Sequence, residues 1–298
     1  MYMKKFKTYI AEGGNAVTGI SPINQENSIA TVKDIYKKLL PKLGLKEKDV
    51  AMLGSTGKKA PKATSGDIDL ALSGPELLKS NKINTFDDIM KLIANAVKSL
   101  GLQYSASPGL GIISAAYPIV NNDGLQEGEK VQLDLMIVDS VELAAWTYFS
   151  PSYLQSELKG LYRNALLMAI AKYMGHKTLK TLPDDSNQPI EWERYFYKLN
   201  TGLEFGKQTN LSPKTGNLTK SRRSFDQKSV TNKPDEIVKH LFGPKYNAKD
   251  ILTFEDAYKA IMSSGFPHKS IRKKVFQEAA KVIQNKGYPI PKEIDKQT

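Results

Sequence analysis

Three aspartates stand where aspartate is hard to accommodate. Asp67 and Asp69 are separated by one residue in the run DIDLALSG, and Asp134 sits in KVQLDLMIV between Leu133 and Leu135. In a strand, residues two apart project from one face, so the first pair presents both carboxylates together while Ile68 and Leu70 face the other way. Like charges this close repel, and partial burial adds a desolvation cost. A divalent cation between them removes both penalties. A charge inside an otherwise apolar strand also needs a partner. If the strand of Asp134 lies beside that of Asp67 and Asp69, the three form one carboxylate group. Such a group suits two Mg²⁺ ions about 3.5–4 Å apart, the arrangement used for in-line phosphoryl displacement, with Mn²⁺ as the alternative ion.

Just upstream, LGSTGKKAPKATSG places glycines and lysines where a phosphate could bind. It is not a P-loop. That motif needs four residues between its glycines and then Lys followed by Ser or Thr. Here Gly54 and Gly57 are separated by two residues, and Lys58 is followed by Lys59. The loop lysines Lys58, Lys59 and Lys62 are read either as aids to a phosphate or an acceptor strand, or as a solvated basic loop. The chain has no cysteine and three widely spaced histidines, which excludes disulfides and thiolate sites and disfavours zinc. Any metal is therefore expected to be a hard cation on carboxylates.

These residues need elements to position them. Apolar residues at Ile29, Val32, Ile35, Leu39 and Leu40 predict a helix capped by Asn24 and ending near Pro41 and Gly44. DVAMLG and DIDLALSG read as strands, and TFDDIMKLIANAVKSLG as an amphipathic helix capped by Thr85. GIISAAYPIV and EKVQLDLMIV flank the turn-rich NNDGLQEG and read as an antiparallel pair. From Glu142 to Met174 the pattern is helical, with a break near Ser150 and Pro151. DDSNQPIEWERYFYKLNTGL is read as a further short helix, and FEDAYKAIMSSG and SIRKKVFQEAAKVIQNKG as tail helices. Residues 207–233 are polar, with seven Lys and Arg against one Asp, and read as a flexible basic linker.

The expected class is α+β: a small mixed sheet with helices over 1–140, a helical region over 141–206, the linker over 207–233, and a basic helical tail over 234–298. The formal charge is +12, from 43 Lys and Arg against 31 Asp and Glu. From residue 204 onward there are 19 against 10, so most of the excess lies late in the chain. A polyanionic partner is the expectation. Arg222, Arg223 and the linker lysines, with Lys269, Arg272, Lys273 and Lys274 of the last long helix, form the expected nucleic-acid footprint. No run approaches the roughly 18 apolar residues of a membrane span, and a soluble, cytoplasmic protein is expected.

Gly54-Ser55, eleven residues, Asp67-Ile68-Asp69 and a later strand aspartate together resemble the DNA polymerase beta-like nucleotidyltransferase superfamily. The resemblance spans roughly Val50 to Asp139, about a third of the chain. It implies a palm in which a Gly-Ser turn opens a helix, with an acidic pair on the next strand and a third carboxylate on a neighbouring strand. It further implies that Gly54 and Ser55 bind the β- and γ-phosphates of a nucleoside triphosphate. Asp67 and Asp69 would hold both metals and Asp134 one of them, with Asp134 also helping to deprotonate the attacking hydroxyl. Helical regions after such palms supply basic residues to the triphosphate, which makes Lys159 and Arg163, four apart on one helix face, the candidates here.

The expected activity is transfer of a nucleoside monophosphate from an NTP to a hydroxyl, with RNA, including a tRNA 3′ end, as the first acceptor. A protein hydroxyl, as in toxin-like relatives, is the alternative acceptor. A sugar-nucleotide transferase using only the acidic pair, and a non-catalytic nucleic-acid binder with a degenerate palm, are the other readings.

Overall fold

The computed structural model describes residues 16–60, 62–156, 158, 160–181, 189–212 and 215–297. The chain divides into two compact units, Met1–Glu157 and Leu158–Thr298.

The first unit is built on a five-stranded sheet. Its elements run β1 (Ile23–Asn24), α1 (Gln25–Leu43), β2 (Val50–Met52), β3 (Thr64–Ser65), β4 (Asp67–Ser73), α2 (Gly74–Asn81), α3 (Phe86–Ser99), β5 (Tyr104–Ser107), β6 (Ile112–Pro118), β7 (Lys130–Val138) and α4 (Val141–Thr147). The sheet order is β2-β4-β7-β6-β5, and β1 pairs separately with β3. β4 and β7 are parallel at the centre, while the remaining neighbours in the sheet are antiparallel.

Period-2 patterning divides the two faces of this sheet. Ile68, Leu70 and Leu72 of β4 and Val131, Leu133 and Leu135 of β7 pack in one core with Ile35, Leu39 and Leu43 of α1 and Ile93 and Val97 of α3. On the opposite face Ala71 and Met136 pack with Leu53 and with Ala144 of α4. Asp67, Asp69 and Asp134 share that second face, next to this smaller apolar cluster. Burying side chains of this size contributes about 1.5–3 kcal/mol each, so the larger core fixes the strands that carry the acids. Both helix caps read from the sequence form: the Asn24 side chain accepts from the amide of Asn27, and the Thr85 side chain from that of Asp88.

The second unit comprises α5 (Gly160–Tyr173), β8 (Lys177–Thr181), β9 (Pro189–Lys198), β10 (Gly202–Leu211), β11 (Leu218–Thr231), α6 (Pro234–Phe242), α7 (Phe254–Met262), α8 (Arg272–Asn285) and α9 (Lys292–Asp295). Its sheet has the order β11-β10-β9-β8 and is antiparallel throughout.

The α+β class holds, but this sheet corrects three of the expectations above. The stretch 207–233 is not a linker: residues 207–211 complete β10 and residues 218–231 form β11. A polar strand is held by its backbone ladder to its neighbours, so it shows no apolar period to read. IEWERYFYK is a strand rather than a helix, consistent with its aromatic-rich alternation of Trp192, Arg194 and Phe196 against Glu193, Tyr195 and Tyr197. The region 141–206 is not uniformly helical either. α4 packs within the first unit through Ala144, and β8, β9 and the start of β10 belong to the second.

Candidate active site

The parallel register of β4 and β7 brings the acids together. Asp69 is paired directly with Asp134, and Asp67 with Gln132. One carboxylate oxygen from each of Asp67, Asp69 and Asp134 lies within 4.8 Å of the others, and all three side chains are part-buried. The donors are hard oxygens of one sign, the chemistry that suits Mg²⁺ or Mn²⁺.

The electrostatics point the same way. Burial, and then the charges of Asp67 and Asp134, push Asp69 up to about 8. Asp67 is also raised, by burial first and Asp134 second, against an opposing pull from Lys59. A compensating cation would relieve this burial and mutual repulsion. The residues present therefore fit a divalent metal.

Neighbouring groups set this geometry. Gln132 donates from Nε2 to both carboxylate oxygens of Asp134, at 3.1 and 3.0 Å. Its own Oε1 accepts from the amide of Ala16 at 3.0 Å. Gln132 is 3% exposed, so its orientation is fixed by packing as well as by these bonds. Thr56, also buried, donates from Oγ1 to the carbonyl of Asp67 at 2.9 Å and ties the Gly54 turn to β4. The Leu53 amide donates to the carbonyl of Asp69 at 2.9 Å. Gly54 has φ of +66°, and a Cβ there would stand 3.0 Å from Oδ2 of Asp69. Backbone conformation and the adjacent acid both demand glycine at this position.

The turn itself differs from expectation. Residues 55–58 form turns, not the first turn of a helix, so no helix N-terminus is available there to hold phosphate. Nearby, the Lys59 ammonium donates to the carbonyl of Thr64 at 2.7 Å, and the Lys58 ammonium lies 4.7 Å from the centre of the Phe149 ring.

Of the two basic candidates, Lys159 lies outside the described residues. Arg163 is 0% exposed, and its guanidinium donates to the carbonyls of Leu252 and Ile251 at 3.1 and 3.4 Å and to Oδ1 of Asn164 at 3.2 Å. Burial pushes its pKa down to about 10. Arg163 thus fastens α5 to the segment before α7 and is not presented to a nucleotide. An arginine on an amphipathic helix reads as a surface cation, and nothing in the sequence marks this one as internal. Gln132 and Thr56 went unread, although Gln132 was open to the same two-residue periodicity that singled out Asp67 and Asp69.

Among solved structures, the chain is similar to Leishmania infantum polymerase beta in its ternary P/T complex. The identity is 14% and the TM-score 0.44, over 78% of this chain and 77% of that one. It is similar to the ternary gap complex of the same polymerase at 13% identity and a TM-score of 0.43, over 78% and 71%. No family model and no curated protein matches the chain. Among the described residues, no helix is long and apolar enough to cross a membrane.

Proposed function

We propose that the chain is a metal-dependent nucleotidyltransferase that moves a nucleoside monophosphate from an NTP to a hydroxyl, with an RNA end as acceptor. The observation that carries this reading is the registered pairing of Asp69 with Asp134, which makes one three-carboxylate group from two strands. In the reaction the acceptor oxygen bonds to the α-phosphorus and the bond from that phosphorus to pyrophosphate breaks. The hydroxyl proton passes to Asp134, whose carboxylate Gln132 holds in a fixed orientation. Gly54 lets the turn approach Asp69, with its own amide donating to the carbonyl of Tyr148 at 3.4 Å, and Ser55 brings backbone and hydroxyl donors to the β- and γ-phosphates. A bound divalent cation supplies charge neutralisation on the triphosphate and acidifies the attacking hydroxyl. The protein's part is positioning and electrostatic stabilisation. The basic excess of the second unit supports a nucleic-acid acceptor.

Each of the four NTPs, α-labelled, is supplied with total RNA, bulk protein and Mg²⁺, and the labelled product is sized. Label in RNA is the expected result, and Asp69→Asn lowers transfer by about 10³-fold or more while circular dichroism is unchanged. Label in protein overturns the acceptor. Undiminished transfer by D69N overturns the site.

A further inference from the structure

Within the second unit, basic side chains from four elements act on one another, and one of them is paired with an acid. The Lys172 ammonium, at the end of α5, is 2.5 Å from Oε2 of Glu278 on α8, and the Tyr173 hydroxyl donates to the same oxygen at 3.5 Å. Burial, and then the charge of Arg222 on β11, push Arg194 of β9 down to about 10. Burial lowers Lys172 too, and Arg194 and Arg222 add to the downward push against the pull of Glu278. Next to them, His176 is lowered by burial and then by Arg194, Lys274 and Lys172. Of these cations Lys172 is ion-paired with Glu278, and Lys274 lies one turn before that acid on α8. Among the described residues, no ion pair holds Arg194, Arg222 or Lys274, and Nε of Arg194 is buried without a hydrogen-bond partner.

Such a group is the charge complement of a polyanion. Arginine forks match phosphate oxygens with two parallel bonds, and desolvation strengthens those bonds. Aromatic rings are present, but each already carries a cation: Lys172 lies 5.4 Å from the centre of Tyr173 and Arg194 4.4 Å from that of Phe196. The Arg222 guanidinium lies 5.7 Å from the centre of Trp192, and the His176 ring stacks on Trp192 at 6.4 Å. Trp192 also donates its indole N–H to Gln208 at 3.2 Å and is 8% exposed. It therefore braces the cations and offers no platform for a base.

We propose that Lys172, Arg194, Arg222 and Lys274 form a binding site for the phosphodiester backbone of a nucleic-acid strand, without base readout. The site depends on the acceptor reading above only for its use in the reaction, since backbone binding needs no transfer.

The test measures anisotropy of fluorescein-labelled, mixed-sequence 20-nucleotide single strands, RNA in one arm and DNA in the other. EDTA is present and nucleotide absent, so the failure of transfer and the failure of this site are separable. Arg222 and Lys274 are exposed, so R222Q/K274Q keeps the fold, which its Tm checks; R194Q probes the part-buried member. K239Q/K249Q removes two other exposed lysines and serves as the charge control. Affinity for RNA, DNA or both is expected to fall about tenfold in R222Q/K274Q, with the salt slope reduced by about 1.4, while the control stays within about twofold. Loss in one arm alone identifies the strand that binds. Equal loss in R222Q/K274Q and the control, or loss in neither arm, overturns the proposal.

Discussion

The two units gather charge in opposite ways. Residues 1–157 hold 17 Lys and Arg against 17 Asp and Glu, so that unit is neutral, yet it draws three carboxylates to one point. Residues 158–298 hold 26 against 14 and carry the whole +12, part of it drawn around Glu278. Net charge and site charge are therefore separate quantities. The first suits a long-range attraction to a polymer, and the second an ion or a phosphate at a few ångströms. In both places like charges are held together by a scaffold whose packing outweighs their repulsion.

That parallel can be attacked from each side. The largest effect after loss of an acid itself is expected from Gln132, whose side chain hydrogen-bonds Asp134. Gln132→Met keeps the volume and removes both hydrogen bonds to Asp134 along with the one from Ala16, and it should raise the Mg²⁺ concentration for half-maximal transfer by about 10–100-fold. KM for the nucleotide should stay unchanged. A variant with normal Mg²⁺ dependence would show that the strands alone fix Asp134.

Thermal stability sharpens the comparison next. The folded-state value of Asp69 lies above its unfolded one, so the stability it contributes is full below about pH 4 and is lost as pH rises through about 8. In EDTA the Tm should fall across that window. Mg²⁺ then takes the place of the displaced proton, and the rise in Tm on adding it should be about 3 °C or more at pH 8 and much smaller at pH 5. An equal rise at both values would mean that the acids are not frustrated.

The smallest effect belongs to the basic group. Glu278→Gln removes the carboxylate that competes with a phosphate, so RNA binding should tighten by about threefold at low salt, while Tm drops slightly from the unrelieved cations. Weaker binding in E278Q would show that Glu278 positions Lys172 rather than competing for it.

The sequence was informative where one rule governs one face. Asp67 and Asp69 announce themselves because aspartates two apart in an apolar strand admit few explanations, and Asp134 because Leu133 and Leu135 flank it. The caps at Asn24 and Thr85 were legible for a similar reason, since a short polar side chain before an apolar period has one common use. The basic group was legible in part: Arg222 and Lys274 stand in the expected footprint, while Lys172 and Arg194 do not. Its members come from α5, β9, β11 and α8, and no local pattern joins residue 172 to residue 274. β11 was missed because LTKSRRSFDQKSVT carries little apolar alternation. Arg163 was misplaced because burial of a guanidinium is a property of what surrounds it, here the carbonyls of Ile251 and Leu252.

The parallel register of β4 and β7 has a consequence for assembly. Asp69 and Asp134 are 65 positions apart, and α2, α3, β5 and β6 lie between them in the chain. A one-residue slip would present Leu133 or Leu135 in place of Asp134. A cation gripping both acids closes that long loop, and the entropy of closing it has already been spent by the docked strands. The ion would then act as a reversible staple across the crossover, holding the central strands in the one alignment that can bind it.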